Sequence, residues 1–202
     1  MDVVKKQQYD AVFSLQTYFM ESLHSIFGSV EELGVAGNHE GFDWYAIARA
    51  LQERYRNTEG IKVSAHTKML VYKKIGCVLF ILTHGKNPIG MKFKYPAKDN
   101  PARQELIRGE IIQILSRLGK EEPEMLADIE QIAFLQGDNH SIKFVEKTGY
   151  LDLQFGTAVH GDEYADSMRL HSRPSQGCLL LSHETGIKGI LNYYLDDLKL
   201  QK

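Results

Sequence analysis

The run CVLFILT at residues 77–83 limits the fold more than any other feature of the chain. It carries no charge, yet it is far shorter than the ~18–20 residues of a membrane span. A strand wet on one face alternates polar and apolar residues, and this run does not. It therefore predicts a strand buried on both faces, with further layers packed above and below it. Strand character recurs at 61–65 and 69–75 before it, and at 132–136, 141–147, 150–155, 177–183 and 187–194 after it. Helices are expected at 2–28, where Val4, Tyr9, Val12, Phe13, Leu15, Phe19, Leu23 and Phe27 recur at helical intervals ahead of Gly28. A short strand through Leu33 and Val35 runs into Gly37, and a helix at 43–56 follows with Asp43 as its N-cap. A helix at 101–118 has Pro101 in its first turn, and a short helix covers 122–130. Elements in this order predict a layered α/β fold, two mixed sheets packed together with helices outside, as one domain over 1–202.

Composition narrows the function classes only a little. A hydrophobic fraction of 43% and a charged fraction of 25% describe an ordinary globular chain. A net charge of -2 makes no electrostatic case for a nucleic-acid or membrane partner, although a local basic patch stays compatible with it. Cys77 and Cys178 both sit in apolar runs and read as buried thiols rather than a disulfide. The first residues, MDVVKKQQYD, lack the apolar stretch of a secretory signal, so a cytoplasmic location is the expectation.

Three short segments carry metal-capable side chains directly after apolar strands. They are Gly37-Asn38-His39-Glu40, Thr83-His84-Gly85, and Gly137-Asp138-Asn139-His140-Ser141. Loops at the carboxyl ends of strands are where α/β proteins build sites, because the sheet holds short loops rigidly. An amide oxygen, imidazole nitrogens and a carboxylate together suit Zn, Mn, Fe or Mg rather than a thiolate-seeking metal. Each segment alone reads first as a polar turn. Their recurrence in one chain is what suggests a shared site.

The ordered set GNHE, then a His-Gly after an apolar strand, then a G-x-x-H-S turn resembles the calcineurin-like metallophosphoesterases. The stretch VEELGVAGNHEG is similar to that family's strand entering its GNH motif, and AFLQGDNHSIKFVEKTGY to its strand, GHxH turn and following hairpin. The tail VHGDEYADSMRLHSRPSQGCLLLS looks like that of phage-encoded members. The resemblance implies the C-terminal part of a metallophosphoesterase-like sandwich. It also implies a pair of divalent ions, which polarise a phosphoester and supply hydroxide at neutral pH. Asn38 and His84 would bind the second metal and His140 the first. His39 would sit beside the scissile phosphate, stabilising its charge or protonating the leaving oxygen.

Two departures from the family pattern matter. Asp138 stands where a ligand histidine is expected, and a carboxylate there shifts preference toward Mn or Mg. The family's opening DxH and GD motifs are absent: residues 1–36 contain only Asp2 and Asp10, neither in such a setting. The N-terminal strands of the family fold would then be missing. The site would need completion by a partner polypeptide, and an exposed sheet edge would invite that chain or a second copy of this one. The expected activity is a metal-dependent phosphoesterase acting on phosphodiesters or nucleic acid. The alternative is an inactive derivative serving as a binding or assembly module. Lys86, Lys92, Lys94 and Lys98, interleaved with Phe93 and Tyr95, make a segment suited to a nucleic-acid backbone or to a solvated loop. Trp44 and Tyr45 are expected to pack a helix onto the sheet or to line the substrate cleft.

Overall fold

The computed structural model describes residues 3–37, 43–85, 99–137, 141–156 and 173–195. The chain divides into two compact units, Met1–Met69 and Leu70–Lys202. Helices and strands are mixed, as the sequence predicts, and a five-stranded mixed sheet dominates the second unit.

In the first unit, α1 (Val3–Phe27) ends where the Gly28 N–H donates to the carbonyl of His24 at 2.8 Å. Gly28 has φ +74°, a left-handed cap that favours glycine. Then follow β1 (Val30–Leu33), α2 (Asp43–Arg54) and β2 (Ile61–Ser64). The two strands lie parallel, with Val30 opposite Ile61 and Leu33 opposite Ser64. Parallel neighbours need a crossover, and α2 supplies it. Met20, Ala48, Leu51, Tyr55 and Val63 form the core of this unit.

Glu32 interrupts that core. Its Oε2 is buried without a hydrogen-bond partner, and burial pushes its carboxyl above the ordinary glutamate range. A raised carboxyl contributes its stability below the ordinary glutamate pKa of about 4.3 and loses it as pH rises through the raised value. Glu32→Gln is therefore expected to stabilise this unit at pH 7, by less than about 1 kcal/mol because Glu32 is only half-buried and solvent screens part of the cost. Below about pH 4 it should change little. Urea unfolding followed by fluorescence of Trp44, the single tryptophan of the chain, checks both halves. Equal stabilisation at the two pH values would exclude ionisation as the cause.

The second unit begins with β3 (Leu70–Ile75) and β4 (Val78–Thr83), an antiparallel hairpin turning at Gly76. Next come α3 (Pro101–Glu121), a 3-10 turn at Pro123–Leu126, and β5 (Gln131–Gln136). β6 (Lys143–Lys147) and β7 (Tyr150–Gln154) follow, then β8 (Ser175–Ser182) and β9 (Gly186–Tyr194). The sheet order is β3-β4-β5-β7-β6, with β4, β5 and β7 mutually parallel at its centre.

The apolar run at 77–83 has the environment the sequence implies. Leu79 and Ile81 point to one side, onto Ile107, Ile111, Ile114 and Leu118 of α3. Val78 and Phe80 point to the other, where Leu179, Ile187 and Ile190 of the β8/β9 hairpin close over them. Helix, sheet and hairpin thus form three layers. The hairpin's turn is pinned to β5 by Ile187 N–H donating to Gln131 Oε1 at 3.0 Å.

Two expectations are corrected here. The helix at 122–130 shrinks to the 3-10 turn, since Ala127 is already extended and Asp128 takes positive φ, +57°. Cys77 is buried as expected, but Cys178 is exposed. It lies on the outer face of β8 with Leu180, which is 50% exposed. Only the inner face of this hairpin meets the sheet.

Candidate metal centre

β4 and β5 run parallel with Thr83 opposite Gln136. The residues that follow, His84 and Gly137, therefore leave the sheet on neighbouring strands about 4.8 Å apart. Two of the three sequence segments start at the same carboxyl edge of the parallel strands. This is the position where α/β sheets place ligands. His84 is half-buried and Gly85 is buried. Gly85 has φ +112°, and a Cβ there would lie 2.5 Å from Gln136 Nε2. No other residue type satisfies both the backbone and the space.

Of the candidate residues, His84 is the one that the structure describes. Asn38, His39, Asp138 and His140 lie outside the described residues, as do Lys86, Lys92, Phe93, Lys94, Tyr95 and Lys98. Among the described residues no three His, Cys, Asp or Glu side chains gather in a metal-holding group. An imidazole stands at the strand edge, and the chain segment bearing Asp138 and His140 begins one strand over. Trp44 packs α2 against the chain leaving β1: its ring lies on Gly34, where a Cβ would come within 2.1 Å. It also lines a cavity of about 400 Å³ with Tyr9, Gln16 and Val35.

The helix-side layer beneath this edge contains polar residues that the motifs do not reveal. Thr83, Gln136 and Gln154 stand in one row across β4, β5 and β7. All three are buried, and Asp152 lies below Gln154 at 1% exposure. Arg103, the third residue of α3, is fully buried among them. Its Nε donates to Asp152 Oδ2 at 2.9 Å, and its Nη2 donates to Asp152 Oδ1 at 2.7 Å and to Gln136 Oε1 at 3.0 Å. Lys143 Nζ approaches Asp152 Oδ2 at 3.5 Å. The remaining amide nitrogen of Gln136 and both amide atoms of Gln154 have no hydrogen-bond partner. A signal for this layer does exist in the sequence. In QIAFLQ and YLDLQ, polar residues fall on the phase that otherwise points into the core.

Elsewhere, His66 Nδ1 accepts the Lys68 backbone N–H at 3.1 Å, in keeping with a structural role. Arg173 stacks over the Tyr194 ring at 4.0 Å. Among the described residues no helix is long and apolar enough to cross a membrane.

No family model matches the chain, and no curated protein matches it. Among solved structures it is similar to vacuolar protein sorting 29 from Cryptosporidium parvum. The identity is 16%, over 73% of this chain and 76% of that chain, with a TM-score of 0.36.

Proposed function

We propose that this chain is the C-terminal part of a divalent-metal phosphoesterase that acts on phosphodiesters or nucleic acid, and that a second polypeptide completes its metal centre. The observation that carries the reading is the register of β4 and β5. It brings the His84 segment and the segment that leads to Asp138 and His140 to one strand edge, as a shared site requires. His84, His140, Asp138 and the Asn38 amide oxygen would hold the metal, with Mn taken first because the carboxylate shifts preference toward Mn or Mg and away from Zn. The bound metal would polarise the phosphoryl oxygen and lower the pKa of water. His39 would stand beside the phosphate as proton donor, a task that suits an imidazole near neutral pH.

Open surfaces support the completing polypeptide. Among the described residues β1 pairs with β2 alone, and β8 with β9 alone, so both small sheets offer edges that can take further strands. The outer face of the hairpin exposes Leu180, Leu191 and Tyr193 beside Cys178. α1 exposes Val12, Leu15, Phe19 and Ile26 along one stripe. The same exposed surfaces favour a second reading, an assembly module that keeps the fold without the chemistry.

Mn²⁺ titration with hydrolysis of a generic phosphodiester separates the two. The chain is assayed alone and with any polypeptide that copurifies. Under the phosphoesterase reading, Mn²⁺ binds and the completed complex hydrolyses the ester, and His84→Ala lowers turnover at least 100-fold. Metal uptake without hydrolysis by the complex, or hydrolysis indifferent to His84→Ala, would leave the assembly module standing.

A further inference from the structure

The buried group of Asp152, Arg103 and Gln136 is hard to account for as a source of stability. Burying a guanidinium and a carboxylate costs more than packing apolar side chains of equal volume would. Arg103 also sits in the first turn of α3, where the helix dipole disfavours a cation. Asn100 caps that turn by accepting the Arg103 backbone N–H at 2.9 Å, so the helix start does not depend on the arginine side chain. The arrangement leaves the Gln136 amide nitrogen unpaired as well. Three unfavourable features at one place call for a purpose other than folding.

The geometry points to that purpose. Asp152 fixes the guanidinium through two oxygens, at 2.9 and 2.7 Å. This bidentate grip sets the plane and direction of Nη2. Nη2 then holds the Gln136 carbonyl oxygen at 3.0 Å and so fixes the far end of that side chain. The same amide end lies against Gly85, close enough that a Cβ would stand 2.5 Å from its nitrogen and 3.1 Å from its Cδ. Gly85 adjoins His84. We propose that Asp152, Arg103 and Gln136 form a positioning relay that holds the His84-Gly85 turn from beneath and fixes where the imidazole stands. The inference deepens the proposed function by resting on His84 as a metal-facing group. Its three members are positioning residues and touch no substrate.

Gln136→Leu keeps the volume and removes both amide atoms; Gln136→Glu keeps an oxygen for Arg103 Nη2. The readouts are NMR order parameters of the backbone amides and the imidazole signals of His84, both taken without metal. In the wild type the Gly85 amide is expected at the rigid value of about 0.85, falling below about 0.6 in Gln136→Leu. Phe80 and Ile81 in β4 should keep their wild-type values, His84 should shift or broaden, and Gln136→Glu should restore both. A Gly85 amide as rigid in Gln136→Leu as in the wild type overturns the relay, and so does a loosening shared equally by β4. Should the leucine variant fail to fold, Arg103→Lys gives the same comparison, because an ammonium cannot grip Asp152 in bidentate fashion and still reach Gln136. In the second arm, Mn²⁺ binding to Gln136→Leu is expected to be about tenfold weaker than to the wild type. If the wild type takes up no Mn²⁺ either alone or with its completing polypeptide, the phosphoesterase reading falls, and the order parameter of Gly85 decides the relay by itself.

Discussion

Asp152→Ala is expected to destabilise the second unit by about 3–5 kcal/mol, because it leaves a buried guanidinium without its counter-charge. Asp152 is 1% exposed and Arg103 is fully buried. Water therefore reaches neither group to replace the lost partner. The Gln136 oxygen would still accept from Arg103 at 3.0 Å, but a neutral amide does not offset a cation. Lys143, now 3.5 Å from Asp152, would lose part of its own compensation. Against a typical total of 5–15 kcal/mol, the loss is large enough to lower the melting temperature sharply. The double variant Arg103→Met with Asp152→Leu should recover most of it, since apolar replacement of a buried pair is often neutral or stabilising. Urea unfolding followed by far-UV circular dichroism measures both. A cost for Asp152→Ala under about 1 kcal/mol would mean that solvent enters the pair. The double variant also separates two roles, for it should be stable and yet lose the rigidity of Gly85.

Phe134→Ala should cost about as much, 3–5 kcal/mol, by a different route. Phe134 sits at zero exposure on β5, the middle strand of the five, with α3 directly above. Leu79, Ile81, Ile107, Ile111, Ile114, Leu118 and Tyr150 surround it. The neighbours come from one strand on either side, β4 and β7, and a long helix, so none can move into the space without dragging its own element. The vacated volume then stays as a cavity and adds to the lost transfer energy. Ile112→Ala on the outer side of α3 is the control: Ile112 is 65% exposed, and its loss should stay within about 0.5 kcal/mol. Similar costs for the two variants, read from their urea midpoints, would show that the layer under α3 is not packed as described.

Much of the secondary structure was legible because burial imposes a period on the chain. The buried positions of α3 are Arg103, Ile107, Ile111, Ile114 and Leu118, spaced by four, four, three and four residues, so helical phase alone could place that element. The run at 78–83 was legible for the opposite reason: a strand covered on both faces has no polar phase. The same reasoning misled at GCLLLS. β8 is covered on one side only, so Cys178 and Leu180 are apolar residues at the surface. A short apolar run does not reveal how many layers cover it. Of the candidate metal residues, the motifs marked His84 and the segment that leads to His140, and strand pairing then set the two starting points side by side.

Two determinants therefore worked at different ranges. Local chemistry by itself determined the element order, the glycine turns at Gly28 and Gly85, and the residue types able to bind a cation, since each depends on neighbours a few positions away. Only the tertiary structure decided that Arg103 meets Asp152, 49 residues further along, and Gln136, 33 residues further along. No backbone preference encodes those pairings. They exist because β4, β5 and β7 lie parallel beneath one helix, which turns distant side chains into neighbours within a water-free layer, where an arginine must find a carboxylate.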